Sequence, residues 1–423
     1  MRAGGPRCIP MKNLLYAQSG GVTAVINASA AGVIEAARAS GRVGRVLAGR
    51  HGLVGILEEA LFDTSALGAD DVGRLARTPG GAFGSCRYDL PDPEDDRVPY
   101  DRLFEVLARH DVGWLLYNGG NGSMNTVAQI AREAQRRGFP LVTVGVPKTV
   151  DNDIEATDCC PGFGSAAKYV AASMLEAGMD LRAMASRVGR AFVFEVMGRN
   201  AGWLAAATAL ARRGEEDPPH IVLMPEVPVD RARLLAEVER AVARVGYCAV
   251  TVSEGVSWSD GTRVMEQNVD AGGYVQLGGA GQTIARLISA ELGYKHHWAI
   301  PDYLQRAAGH LVSATDAAQA RAVGATAVEY ALAGRDGMMP AIRRLSDQPY
   351  RWDIVPVPAA EVGNRERLVP AHFIREDGLH VTPAALDYLR PLVEGELPVP
   401  FRDGVPDWRT FDLPLHVPGR RPA

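Results

Sequence analysis

The chain has 423 residues, 47% of them hydrophobic, and a formal net charge of −5. That length gives volume for two or three domains with cores of their own. The charge carries no basic excess to suggest nucleic acid, and no apolar run is long enough to cross a bilayer. Five cysteines, with Cys159 and Cys160 adjacent and no Cys-x-x-Cys spacing for zinc, favour reduced thiols and a cytoplasmic location. The opening Met1 to Arg7 lacks an apolar signal core. Residues 1–10 read as a disordered extension, with Met11 as an alternative start.

Asn13 to Ala17 predicts a first strand, which runs into Gln18-Ser19-Gly20-Gly21 and an alanine-rich helix to about Ser40. A strand, paired glycines and a helix start present backbone N–H groups to phosphate. The same glycines can equally serve only a tight βα turn. Arg45 to Gly49 predicts a second strand, and residues 56–76 read as mixed and mainly helical. Thr78 to Arg87 carries Gly80, Gly81 and Gly84 and one arginine where an anion can lie; the plain alternative for Arg87 is a surface charge. Pro91 to Pro99 is an acidic, proline-rich exposed loop. A helix over about 101–110 leads to a third strand, Val112 to Tyr117, ending in Asn118-Gly119-Gly120-Asn121-Gly122-Ser123 before a helix to about Arg137. This second strand–glycine–helix unit faces the same sheet edge as the first.

Leu141 to Val146 is an apolar, β-branched run of the kind found in buried parallel strands. Just past its carboxyl end, where open α/β sheets bind ligands, stands Pro147-Lys148-Thr149-Val150-Asp151-Asn152-Asp153. In an extended segment Asp151 and Asp153 point the same way, and such a pair needs a metal, a cation or a shared proton. Lys148 is one available cation, or it faces an anionic substrate. The bland alternative is a solvated turn with an asparagine cap. Three neighbouring strand ends with glycines and charges favour a phosphate-handling crevice.

The βα plan then restarts. Pro161 to Gly164 precede a helix over about 165–188, and Ala191 to Val196 predicts a strand ending in Met197-Gly198-Arg199-Asn200-Ala201-Gly202. His220 to Pro225 and Tyr247 to Val252 are further strands around a helix (230–244). The latter ends in Ser253-Glu254-Gly255, where Glu254 either caps or binds sugar hydroxyls. A helix over 280–293 is followed by Lys295-His296-His297 and by a compact cluster, Tyr303-Leu304-Gln305-Arg306. After a helix over about 315–334, the chain from about 345 is rich in proline and charge. Its only structure-forming runs are Leu368 to Ile374 and Pro383 to Val393, and it is expected to wrap the surface or an interface. The pattern predicts an α/β fold of two doubly wound, Rossmann-like domains with an interdomain active-site cleft and a C-terminal extension.

Taken in order, these motifs resemble the phosphofructokinases, specifically the pyrophosphate-dependent branch, over most of residues 13–310. The resemblance implies transfer of phosphoryl from pyrophosphate to the 1-hydroxyl of fructose 6-phosphate, a reversible glycolytic step, with Mg²⁺ as cofactor, in a cytoplasmic homodimer or homotetramer. It implies that residues 11–160 form a donor-side domain, 161–300 a sugar-phosphate-side domain, and 301–423 a crossover and extension. Asp151 matches the general base, with Lys148 and Asp153 as catalytic partners. Substrate contacts are implied for Thr149, Val150, Asp151, Met197, Gly198, Arg199, Glu254, Tyr303, Leu304, Gln305 and Arg306, and for Arg190 from a neighbouring subunit. Donor contacts are implied for Gly21, Arg87, Gly120, Gly122, Ser123 and Lys148.

Lysine at 148, where ATP-dependent relatives usually have glycine, and Val22 in place of aspartate both fit the pyrophosphate branch. The loop at 119–123 departs from both branches. Asn121 keeps the position of a metal-positioning carboxylate without the charge, and Gly122 removes bulk expected to exclude a nucleotide. Two other readings therefore stand beside the first: an ATP-dependent enzyme, favoured by Gly122, and a catalytically weakened sugar-phosphate-binding paralogue, favoured by the missing acids.

Overall fold

The structure, a computed structural model, describes residues 11–185, 189–264, 268–269, 275–276 and 278–419. The extension expected at 1–10 lies outside them. Two sheets organise the chain. In the first, β1 (Asn13–Gln18), β2 (Val46–Gly49), β4 (Val112–Gly119) and β5 (Val142–Pro147) run parallel, with β3 (Leu61–Asp63) antiparallel at one edge. The second is all parallel: β6 (Arg190–Val196), β7 (Ile221–Leu223), β8 (Tyr247–Ser253) and β11 (Lys295–Ala299), in the order β11-β6-β8-β7. A two-residue pair, β9 (Asn268–Val269) and β10 (Val275–Gln276), stands apart.

The strand β1 illustrates why the sheet forms. Leu14 and Tyr16 enter one apolar cluster with Leu116, Val144 and helix residues Ala30 and Ile34. Leu15 and Ala17 enter the cluster on the opposite face with Tyr100, Leu103 and Leu115. A strand covered on both faces has no polar side, hence its unbroken apolar sequence. The first cluster continues through Phe163, Val196 and Trp203, so the apolar core runs from one sheet to the other.

After β11 the chain returns to the first sheet. The helix Ala314–Leu332 lies against the helix Ile26–Ser40 at glycine crossings. A Cβ on Gly32 would stand 2.1 Å from the Arg321 carbonyl, and one on Gly324 would stand 2.1 Å from that of Ser29. Backbones this close admit no side chain.

Three stretches differ from the sequence reading. Residues 56–76 contain the edge strand β3 as well as helix, and Lys295-His296-His297 begin the edge strand β11. The tail is not limited to short runs: β12 (Met338–Asp347) and β13 (Tyr350–Pro358) form a long hairpin that extends the first sheet to the order β13-β12-β5-β4-β1-β2-β3. Pro340, Pro349, Pro356 and Pro358 signal a loop in the sequence, but Pro356 and Pro358 lie on the outer strand β13, whose unpaired N–H positions tolerate proline. Pro349 lies in the turn, and Pro340 lies on β12 past its pairing with β5 at Met338.

Candidate active site

The carboxyl ends of β1, β4 and β5 meet at one edge. Gly20, at φ +73°, turns the chain out of β1 and donates its N–H to the Cys86 carbonyl at 2.9 Å; its own carbonyl accepts from Ser85 Oγ at 2.7 Å. These contacts draw the loop of residues 78–87 onto the turn and set the exposed Arg87 beside it. Ser123 Oγ donates to Ser19 Oγ at 2.9 Å, which ties the ends of β1 and β4 together. Gly120 precedes the helix Asn121–Arg137, whose first turn has no acidic residue, so its N–H groups suit an anion.

Lys148 forms the floor of this edge. It is 3% exposed, and its Nζ donates to the Gly21 carbonyl at 2.7 Å. Burial, with Arg306 and Arg87 against it, lowers its pKa to about 8, while Asp151 and Asp153 oppose that shift. The Asp151 carboxyl moves the other way. Burial pushes it up to about 7, Asp153, Glu254 and Glu366 add to the rise, and Lys148 opposes it. Burial also raises Asp153, with Glu366 again adding to the rise.

The segment that carries Asp151 and Asp153 is not extended. Asn152 between them is left-handed, at φ 56°, and fully buried. Asparagine tolerates this conformation better than most residues. Asn121 Nδ2 donates to Asp153 Oδ2 at 2.9 Å. Asn121 Oδ1 and Asp153 Oδ1 are both buried with no hydrogen-bond partner among the described residues.

The second sheet supplies the facing wall. The Met197 N–H donates to Gln305 Oε1 at 3.1 Å, and the Gly198 carbonyl accepts from Ser253 Oγ at 2.6 Å. Gly198 is at φ 136°, and a Cβ there would stand 2.5 Å from both Ala201 O and Ser253 Oγ. Its N–H faces Glu254 Oε1 at 3.4 Å, and burial raises the Glu254 carboxyl. Arg306 stacks on Tyr303 at 4.1 Å and reaches across the cleft, its Nη1 2.4 Å from where a Cβ on Gly21 would be.

Contacts and charges across the two walls thus join Gly21, Arg87, Lys148, Asp151, Asp153, Glu254, Tyr303 and Arg306, while Gly120, Gly122, Ser123, Thr149, Met197, Gly198 and Arg199 lie on the strand-end segments beside them. Four other expected site residues lie outside this group. The Val150 side chain packs into the core, Gln305 is buried as the tether of Met197, and Leu304 is 63% exposed. Arg190 opens β6, at the opposite end of the strand from Met197 and so roughly 20 Å away; its Nε donates to the Met184 carbonyl at 2.7 Å.

Sequence reasoning missed four residues. A Cβ on Gly122 would stand 3.6 Å from Asp89 Oδ1, so a carboxylate from another loop lies beside the glycine. Glu366, Arg367 and Tyr388 come from the tail, where no motif marks them.

This geometry can be set beside known proteins. Residues 13–331 match the family model described as "Phosphofructokinase". The chain belongs to the phosphofructokinase family. Among curated phosphofructokinases it is 53% identical over 399 residues to the pyrophosphate–fructose 6-phosphate 1-phosphotransferase of Xanthomonas campestris, covering 94% of this chain and 95% of that protein. To the protein of the same name from Halomonas elongata it is 52% identical over 396 residues, covering 93% and 94%. The crystal structure of a pyrophosphate-dependent phosphofructokinase from Nitrosospira multiformis superposes with a TM-score of 0.87 at 46% identity, covering 97% of this chain and all of that one.

Proposed function

We propose that this phosphofructokinase transfers phosphoryl from pyrophosphate to the 1-hydroxyl of fructose 6-phosphate, giving fructose 1,6-bisphosphate and phosphate. The observation that carries the choice of donor is Lys148, a buried ammonium fixed to the Gly21 carbonyl between the glycine turn and the two aspartates. The relatives named above, at 52–53% identity, support the same donor.

Asp151 takes the proton of the attacking hydroxyl; with its pKa near 7 it is both basic enough to do so and ionised enough near neutrality. Lys148 and Arg87 offset charge on the pyrophosphate, and Lys148 stabilises the departing phosphate. Gly21, Gly120, Gly122 and Ser123 line the donor with backbone. Glu254, Thr149, Met197, Gly198 and Arg199 position the sugar, while Arg306, backed by Tyr303, holds the 6-phosphate through its planar fork. Arg190 serves the site of a neighbouring subunit, which makes the active form a homodimer or homotetramer.

The residues present fit Mg²⁺. Asn121 Oδ1 and Asp153 Oδ1 are acceptors without a partner among the described residues. Mg²⁺ is usually held by one or two carboxylates with substrate phosphates and water, so Asp153 would ligate it and Asn121 would add a neutral, weaker oxygen. No group of three or more His, Cys, Asp or Glu side chains suited to a metal occurs among the described residues. When bound there, the ion would neutralise phosphate charge. No helix among the described residues is long and apolar enough to cross a membrane, and we place the enzyme in the cytoplasm.

A coupled assay with pyrophosphate or ATP as donor tests the function. Turnover with pyrophosphate supports it; turnover only with ATP supports the second reading that Gly122 favours, and turnover with neither supports a binding paralogue.

A further inference from the structure

The tail segment Glu366 to Val369 touches both walls of the cleft. On the donor side, Glu366 forms a backbone bridge with Ile154, and the Arg367 N–H donates to the Asp153 carbonyl at 2.8 Å. On the sugar side, Glu366 Oε1 accepts from Asn200 Nδ2 at 2.8 Å, and the Arg367 carbonyl accepts from Trp203 Nε1 at 2.9 Å. Glu226 Oε1 accepts both from the Val369 N–H at 2.8 Å and from the Gly202 N–H at 3.0 Å.

The Arg367 guanidinium carbon lies over Trp203, 4.7 Å from the ring centroid, and the side chain uses all of its donors behind the loop that carries the two aspartates. Nε and Nη2 donate to the Asn152 carbonyl at 3.1 and 3.0 Å; Nη1 donates to the carbonyls of Thr157 and Asp158 at 2.8 and 2.5 Å; Nη2 also donates to Tyr388 Oη at 3.2 Å. A guanidinium has five N–H donors in a fixed plane, and these are five contacts. Tyr388 Oη in turn accepts from Asn152 Nδ2 at 3.0 Å, and Asn152 Oδ1 accepts from the Cys160 N–H at 3.0 Å. Asn152 is therefore gripped at its carbonyl and at both ends of its amide, in the left-handed conformation that sets the directions of Asp151 and Asp153.

We propose that Arg367 is a positioning residue for the phosphoryl transfer: with Tyr388 it locks Asn152, and so aims Asp151 at the substrate hydroxyl. It touches no substrate and acts through the loop. A lysine, with three donors on a single nitrogen, cannot span these carbonyls. The inference rests on Asp151 as the reacting base. An active Asp151→Asn enzyme would sink that reading by itself, whereas the experiments below concern only what aims the base.

Arg367→Ala should lower kcat at least ~30-fold while leaving KM for fructose 6-phosphate and for pyrophosphate within ~3-fold, because misalignment costs the transition state more than binding. Added guanidinium ion, at concentrations that leave the unmodified enzyme unaffected, should restore part of the lost kcat, which a general loss of fold would not allow. Arg367→Lys should remain impaired. If Arg367→Ala does not fold, Tyr388→Phe decides, because it removes only the hydroxyl; it should lower kcat ~5-fold or more at constant KM. A kcat within ~2-fold of the unmodified enzyme in either soluble variant would overturn the proposal, as would a loss confined to KM.

Discussion

Arg306, in the segment that follows β11, reaches to Gly21 in the turn after β1, its Nη1 2.4 Å from the point where a Cβ on Gly21 would stand. The arginine proposed for the sugar phosphate thus also closes over the donor turn, and its charge bears on Lys148. Arg306→Ala should raise KM for fructose 6-phosphate by ~10-fold or more with a smaller fall in kcat, since a phosphate contact exists in ground and transition states alike. Steady-state kinetics checks this, and an unchanged KM would place the 6-phosphate elsewhere. Gly21→Ala should give a weaker version of the same change by pushing the guanidinium aside.

The two groups at the centre of the cleft set a pH window. Asp151 must be ionised to act as a base and titrates near 7; Lys148 must be protonated to offset phosphate charge and titrates near 8. The rate kcat/KM should therefore rise as pH increases through about 7 and fall beyond about 8, giving a narrow bell. Asp151→Asn should cut kcat at least ~10²-fold at all pH values. Arg306→Ala should move the alkaline limb upward, because removing a neighbouring cation raises the Lys148 pKa. A flat profile from pH 6 to 9 would exclude this pair as the titrating groups.

Much of this site was readable because each βα unit ends in residues whose chemistry has few uses. Gly198 and Gly255 sit where a side chain would collide with neighbouring backbone or side-chain oxygen, and Gly20 holds a left-handed turn at φ +73° beside Lys148 Nζ. Lys148 and Asp151 follow a strand whose apolar run is unmistakable. What escaped the sequence acts across long separations. Arg367 lies 215 residues from Asn152, and nothing in its neighbours distinguishes a guanidinium spread over carbonyls from a surface charge. The left-handed turn at Asn152 was not legible for the same reason: the groups that hold it, Arg367 and Tyr388, come from the tail. The hairpin β12–β13 was hidden by its prolines, of which Pro356 and Pro358 sit on the outer strand, Pro349 in the turn and Pro340 beyond the pairing of β12 with β5.

Stability and activity should conflict at Asp151. Its folded pKa, near 7, lies above the ordinary value of 3.8. Between those values the unfolded chain gives up a proton that the folded protein keeps, so this group makes stability fall as pH rises from about 4 through 7. Asp151→Asn removes that cost. Its Tm should exceed that of the unmodified enzyme by ~2 °C or more at pH 8, and the gap should narrow toward pH 4. Calorimetry at the two pH values checks the sign; a lower Tm for the variant at pH 8 would contradict it.

Donor choice depends on Lys148 and on the space around Gly122. The ammonium is held at the Gly21 carbonyl, and losing one such charge-stabilising contact typically costs about 3–4 kcal/mol. Lys148→Gly should therefore lower pyrophosphate turnover by ~10²-fold or more. The space beside Gly122 is bordered by one carboxylate, Asp89 Oδ1, at an ordinary contact distance of 3.6 Å from where its Cβ would be. A nucleotide would have to displace or pair with that carboxylate. Gly122→Asp would set a second carboxylate against Asp89, a pair that calls for a cation. It should reduce the Mg²⁺ concentration needed for half-maximal rate and leave pyrophosphate as donor. Asp89→Ala, not any change at 122, is the substitution that clears the space, and it should raise ATP turnover from a level below ~1% of the pyrophosphate rate. If Asp89→Ala leaves ATP as poor as before, Lys148 alone sets the choice. Robust ATP turnover without pyrophosphate activity in the unmodified enzyme would reverse the assignment of the donor.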